Sequence, residues 1–297
     1  MHPSSSRIDR RSLLALAAAA ALPAALPGAV ASAAAEPPRH RPFNPADPSS
    51  LLAGYRKVLF SSNEELVFWW MKGTKYGMVD NVTQPFYNME VVSIMRCHSD
   101  AADRFTVGTL EMSYYTDLAS GALLDRWQNP YTSEWLDMKY VPVGPTKLTY
   151  TPSGPQMPME LPGVKIASTH AMGPVTVVGN DAWLRNDSNA VVTRTDGPGK
   201  PFLVHDWAIY HAQLTDIENE ALASAPATVS FTDLTSWPRS MKMGDRAGTR
   251  MSRTVGRKVG SLAALPPSLV AILERQQPQV LRDPAAALDK PANQFDR

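Results

Sequence analysis

From Leu66 onward the apolar and aromatic residues recur with a period of two rather than 3.6, which restricts the chain to a fold built mainly from strands. Residues 66–71 form a first run, Lys72-Gly73 reads as a turn, and residues 75–82 resume the pattern. Residues 86–98 and 105–116 are longer runs, followed by turn chemistry over 117–121 and a return at 122–127. Later runs cover 175–178, 183–185, 191–194, 202–211 and 228–234. Short connections between successive runs predict an antiparallel meander. Many strands with few helices predict a mainly β fold, an antiparallel β-barrel or strongly curved sheet of lipocalin-like type, because closure removes exposed edges.

A few short peripheral helices complete this expectation. Asp47-Pro48 supplies an N-cap and a first-turn proline, and Leu51, Leu52, Tyr55, Val58 and Leu59 continue at helical spacing to about Phe60. Pro266-Pro267-Ser268 opens a second helix through Leu269, Ile272 and Leu273, which Pro278 disturbs before Leu281. Residues 142–163 are dense in Pro and Gly and read as a long ordered crossing or a lid. The basic segment RAGTRMSRTVGRK, 246–258, reads as a solvated loop or as a grip for an anionic group.

The N-terminal 35 residues have the order of a cleavable export signal. Arg7, Arg10 and Arg11 precede an apolar run over residues 13–26, and small residues gather at Ala31, Ser32, Ala33, Ala34 and Ala35. The run is too short to span a bilayer well. The paired arginines, followed by Ser12, Leu13 and Leu14, look like a twin-arginine motif, although Asp9 and Ala15 depart from it and leave the general secretory route as the alternative. Cleavage is expected after Ala33 or Ala35. The expected organisation is a signal peptide (1–35), a Pro-rich leader (36–46), one β-rich domain (47–282) and a loose tail (283–297). A periplasmic or secreted location follows, with the twin-arginine translocase as partner during export.

Without residues 1–35, which hold three Arg and one Asp, the chain has 26 basic and 27 acidic residues. A near-neutral chain has no electrostatic footprint for nucleic acid or anionic lipid. No later apolar run is long enough for stable membrane insertion. Cys97 is the sole cysteine, so no intramolecular disulfide can form, and it reads as a small buried apolar residue. HExxH, paired-cysteine, phosphate-loop, GxGxxG and GxSxG patterns are all missing, and no metal or cofactor is expected.

Chemistry must then come from residues that strand alternation gathers. On 88–98 one face carries Glu90, Val92, Ile94, Arg96 and His98, and the apolar face carries Met89, Val91, Ser93, Met95 and Cys97. On 105–116, Glu111, Ser113 and Tyr115 share a face. Pairing of these strands could place Glu90, Arg96, Glu111 and Tyr115 on one surface, either solvated or enclosed in a barrel. On 202–211, His205, Trp207, Ile209 and His211 share a face, with the two histidines ~20 Å apart and too far to share a metal. The candidate acid–base residues are therefore Glu111, His205, Tyr115 and Glu90, and the candidate ligand contacts are Arg96, Trp127, Asn129, Trp207 and Tyr210.

Three stretches, GYRKVLFSSNEELVFWWMKGTKYGMV, LEMSYYTDLASGALLDRWQNPYT and LVHDWAIY, together resemble the bacterial and fungal family known as domain of unknown function 1838. Glu111, Tyr115, Asp117, Gly121, Trp127, Asn129 and Pro130 carry the likeness. The resemblance implies a single, often exported domain and supplies no activity. Two functions stay open: an exported β-barrel that binds a small, largely apolar or aromatic molecule, and a cofactor-free isomerase, cyclase or lyase using carboxylate, His or Tyr groups in the same pocket.

Overall fold

The computed structural model describes residues 40–101, 103–156, 164–195 and 200–290. The export signal, the first residues of the leader and the last residues of the tail lie outside them. A helix, α1 (Pro48–Leu59), comes first, capped by the Asp47 carboxylate, which accepts from the Ser50 amide at 3.1 Å. Strands β1 (Leu66–Val79), β2 (Val82–Ala101) and β3 (Arg104–Thr116) follow as a meander. Two three-residue strands, β4 (Arg126–Gln128) and β5 (Trp135–Asp137), pair with each other in a separate small sheet. The main sheet continues with β6 (Val143–Thr151), β7 (Gly154–Gln156), β8 (Val164–Val178), β9 (Asp181–Arg194) and β10 (Phe202–Gln213). After α2 (Leu214–Glu218) come β11 (Thr228–Thr235) and β12 (Thr249–Val259), then α3 (Pro267–Gln276), α4 (Pro278–Arg282) and α5 (Pro284–Leu288).

Ten strands form one antiparallel sheet in the order β7-β6-β3-β2-β1-β12-β11-β10-β9-β8. Its two edges return to each other. A Cβ added at Gly154 of β7 would stand 3.2 Å from the His170 carbonyl oxygen of β8, so the sheet is nearly closed into a barrel. The mainly β, barrel-like architecture expected from the period of two is the one found.

Alternation then sorts side chains into an inner and an outer face. One end of the interior is filled by α1, whose Tyr55, Val58 and Leu59 pack with Val67, Trp69, Cys97, Val107 and Leu184. This helix is a plug rather than a peripheral element. Its C-terminal carbonyls need partners, and the Lys258 ammonium on β12 supplies them, donating to Lys57 O and Phe60 O at 3.0 Å and to Ser224 Oγ at 2.8 Å. The Tyr55 hydroxyl accepts from the Gly173 amide at 2.6 Å and donates to the Arg185 carbonyl, tying the plug to β8 and β9. On the outer face of β1–β3, Val92, Ile94, Leu110 and Met112 are covered by Leu269, Leu273, Val280 and Leu288 of the C-terminal helices. Both faces of the meander are therefore buried.

Several expectations are corrected here. Lys72-Gly73 is not a turn, because β1 runs unbroken through it, and the turn is Asp80-Asn81, both at positive φ as a two-residue hairpin requires. Gly73 sits in the strand for a packing reason, since a Cβ there would lie 1.9 Å from the Arg253 carbonyl oxygen of β12. The Pro- and Gly-rich stretch contains β6 and β7, and the basic segment is β12, a central strand rather than a solvated loop. The expected tail is not loose at its start: α5 is capped by Asp283, and Ala287 and Leu288 are buried.

Replacing Gly73 by Ala should cost about 3 kcal/mol in urea unfolding, because two backbones must separate. Gly121→Ala, at φ +69 with nothing within 4 Å, should cost only about 1 kcal/mol. Equal costs would show that the β1–β12 approach is not tight.

Candidate functional site

Register decides which polar side chains meet. Lys75 on β1 pairs with Ser252 on β12, Ser252 with Asp233 on β11, and Asp233 with Asp206 on β10. Asp206 pairs in turn with Ser188 on β9, and Ser188 with His170 on β8. This belt crosses six strands on the inner face, beyond the apolar end that α1 fills. Arg250 is the next inward residue of β12 after Ser252, and it pairs with Thr235 of β11. Tyr87 is opposite Lys75 on β2, while Glu111 and Tyr115 face the same interior from β3.

Lys75 is 2% exposed, and its ammonium meets Asp233 Oδ2 at 2.5 Å. Asp233 Oδ1 accepts from the Ser252 amide at 2.8 Å, so both carboxylate oxygens are held. Burial and the neighbouring Arg250 charge bring Lys75 down to about 8, against the pull of Asp233. Asp206 accepts no hydrogen bond from a cation among the described residues, and the Lys75 charge only partly offsets its burial. Burial, together with the charges of Asp233 and Glu111, pushes Asp206 up to about 7. Burial also raises Glu111, although Ser113 Oγ donates to it at 3.3 Å and partly offsets that rise. Tyr87, Tyr115 and Tyr210 are all raised by burial and stay protonated donors at neutral pH.

Glu111, Asp206, Tyr115 and Tyr210 are on the inner face, surrounded by protein, and are half-buried rather than fully buried. Arg250 Nε, Ser252 Oγ, Thr235 Oγ1 and His170 Nε2 are buried without a hydrogen-bond partner among the described residues. Part of the far end, beside β2 and β4, is covered by aromatic packing. Tyr87 lies 4.7 Å from Tyr115 and 5.2 Å from Trp127 between ring centroids, and Phe86 lies 4.8 Å from Trp127. Among the described residues, no three His, Cys, Asp or Glu side chains are grouped closely enough to hold a metal ion.

The sequence candidates divide between the two faces. Glu111, Tyr115 and Tyr210 are inside. Glu90 and Arg96 are not beside them, because Glu111 pairs with Ser93 and Glu90 pairs with Tyr114. Glu90 faces outward, where it accepts from Lys72 Nζ at 2.9 Å and Trp70 Nε1 at 3.1 Å. Arg96, also outward, anchors the C-terminal helices through Asp289 at 3.2 Å. His205 and Trp207 stack on each other outside the barrel, with His205 Nδ1 2.7 Å from Asn189 Oδ1. Trp127 belongs to the aromatic group beside β2 and β4. Asn129 is fully buried and structural, donating to Met241 O at 2.8 Å and accepting from the Tyr131 amide at 3.0 Å.

Lys75, Tyr87, His170, Asp206, Asp233 and Arg250 were not among the candidates. For Asp206 a signal existed. It alternates with Ala208, Tyr210 and Ala212, and small residues on one face suit a surface crowded by a plug. Trp207 and Ile209, on the other face, are 39% and 41% exposed.

A family profile described as protein of unknown function (DUF1838) matches residues 63–177 and 197–294. The chain belongs to the DUF1838 family. A search of curated proteins finds no match. Membership of DUF1838 assigns no chemistry, so the reading of the site rests on its geometry. No helix among the described residues is long and apolar enough to cross a membrane.

Asp206 also makes stability depend on pH. Its pKa is raised on folding from 3.8, so the stability present below pH ~4 is lost as pH rises through about 7 and stays lost above it. Asp206→Asn should leave the Tm unchanged at pH 4 and raise it by about 5 °C at pH 8, corresponding to roughly 2 kcal/mol after screening. Thermal melts across this range check it, and a pH-independent difference would place Asp206 in an ordinary carboxylate environment.

Proposed function

We propose that the barrel interior is an acid–base site acting on a small molecule that carries a carbonyl group, in a reaction of the isomerase, cyclase or lyase type. The observation that carries this reading is Asp206, a carboxylate poised near neutrality beside a charge-paired Lys75–Asp233 and facing protonated tyrosines. A general base works best when its pKa lies near the operating pH.

In this reading the Asp206 carboxylate takes a proton from the carbon next to the carbonyl, the C–H electron pair forms a carbon–carbon double bond, and the carbonyl π pair moves onto the oxygen. Arg250 and the Tyr87 and Tyr115 hydroxyls stabilise the resulting oxyanion by charge and hydrogen bonding. Protonated Asp206 then returns the proton to a different carbon in an isomerisation, and the carbonyl re-forms as the oxyanion's electron pair moves back. Lys75 and Asp233 position the site and hold its charge balance. Burial supports each role, because an electrostatic contact is stronger where water is excluded.

A carrier that binds a small, largely apolar or aromatic molecule without turnover is the second reading. Met71, Met95, Phe231 and Tyr210 favour it by giving the interior an apolar wall against the α1 plug. Proton nuclear magnetic resonance in D2O with a panel of small ketones, β-keto acids and unsaturated carbonyl compounds separates the two. The acid–base reading expects solvent deuterium to enter at least one compound, with Asp206→Asn slowing this by about 100-fold or more. Compounds that bind without exchange would establish the carrier, and exchange unaffected by the substitution would remove Asp206 from the chemistry.

We also propose that the chain is exported by the twin-arginine route to a periplasmic or secreted location, from the pattern around Arg10 and Arg11. Replacing both by Lys should leave the unprocessed chain in the cytosol in fractionation experiments. Continued export would assign it to the general secretory route.

A further inference from the structure

Outside the acid–base belt, a cleft of about 750 Å³ opens around the ends of β9, β10 and β11. Its volume lies in the range of small-ligand sites. Among the described residues, the lining charges are Arg194, Lys200, Arg239, Lys242 and Arg246 and the carboxylate of Asp245. Lys200 pairs with Asp245 at 2.8 Å and Lys242 with Glu134 at 2.6 Å. Phe202, Trp237 and Met243 give the same cleft an apolar floor. The Arg246 guanidinium stands 5.8 Å from the centroid of the Tyr131 ring, which in turn packs against Trp237. Cationic rim and aromatic floor are thus parts of one packed group.

Strand alternation relates this cleft to the interior. Phe202 and Val192 pair across β10 and β9, and both lie on the face that carries Asp206 and Ser188. Phe202 is four residues from Asp206, or ~13 Å along an extended strand. We infer that the cleft is a recognition site for an amphipathic organic anion, a carboxylate or sulfonate on an aromatic or alkyl body, and forms the mouth of the barrel. The anionic group meets the basic rim, and the apolar body lies on Phe202 and Trp237. As a mouth the cleft rests on the interior being the reactive site, and as an anion site it stands without that reading. A field of one sign at a mouth also concentrates ligands of the opposite sign before they enter.

Fluorescence titration with 1-anilinonaphthalene-8-sulfonate tests this, with the neutral N-phenyl-1-naphthylamine as its uncharged counterpart. The sulfonate should bind at least ten-fold more tightly than the neutral amine, and its affinity should fall as salt is raised. Lys200→Glu with Arg246→Glu should weaken the sulfonate at least ten-fold and leave the amine unchanged. Both residues are exposed, and circular dichroism checks that the variant is folded. The salt titration reads the same charge in the unaltered protein. Asp206→Asn should not alter sulfonate binding, which separates this site from the proton-transfer reading. Equal affinity for the two dyes, no response to salt or to charge reversal, or loss of sulfonate binding in Asp206→Asn would each overturn the inference.

Discussion

An ammonium group inside a barrel cannot be left alone, and the way Lys75 is satisfied organises much of this protein. A buried charge costs several kcal/mol unless a partner and further hydrogen bonds offset the loss of water. Lys75 finds Asp233 two strands away, across the intervening β12, and the Ser252 amide of that strand holds the second carboxylate oxygen. Three strands are thereby locked in register at one level. The neighbouring strand brings Asp206 beside Asp233, and among the described residues no second ammonium pairs with it. One satisfied pair thus leaves an adjacent carboxylate with a high proton affinity.

The same rule operates at the plugged end with a different outcome. Lys258 is also an inward cation of β12, but its acceptors are backbone carbonyls, two from the end of α1 and one at Ala225, with Ser224 Oγ as a fourth. Burial brings it down to about 7. Four acceptors fix it as a helix cap, while the Lys75 region keeps unpartnered polar atoms and accessible surface. This contrast in saturation separates a buried cation that caps a helix from one whose surroundings keep unmet polar groups. It also divides the interior into an apolar half around α1 and a polar half.

Much of the fold was legible because alternation is a local property. The long runs of β2 and β3, the Asp47-Pro48 helix start and the break at Pro278 all follow from neighbouring residues. β12 was not legible, since Arg246, Arg250, Arg253 and Arg257 suggest solvent and only two flanking strands make such a segment central. Gly73 misled for a related reason. Within the sequence it is a turn residue, whereas in the barrel it is the gap through which the Arg253 carbonyl approaches. Among the candidate residues, Glu111, Tyr115 and Tyr210 lie on the inner face, but Glu90 and Arg96 were joined to them by assuming a register that the β2–β3 pairing does not have.

The sequence by itself determined that this chain is β-rich, that its strands are antiparallel and curved, and which residues share a face on each strand. The period of two gives the strands and their faces, and the short connections and scarcity of helices give the rest, without reference to distant residues. Only the tertiary structure decided which face is inside. On β10 it turned the histidine and tryptophan outward and Asp206 inward, because the face with Ala208 and Ala212 is the one that fits against the α1 plug. It also decided which strands are neighbours, and therefore that Lys75, Asp206, Asp233 and Glu111 act on one another's charge across the inner face. The physical reason is that alternation fixes a side chain's face relative to its own strand, whereas enclosure, proton affinity and charge pairing depend on what closure of the sheet places opposite it.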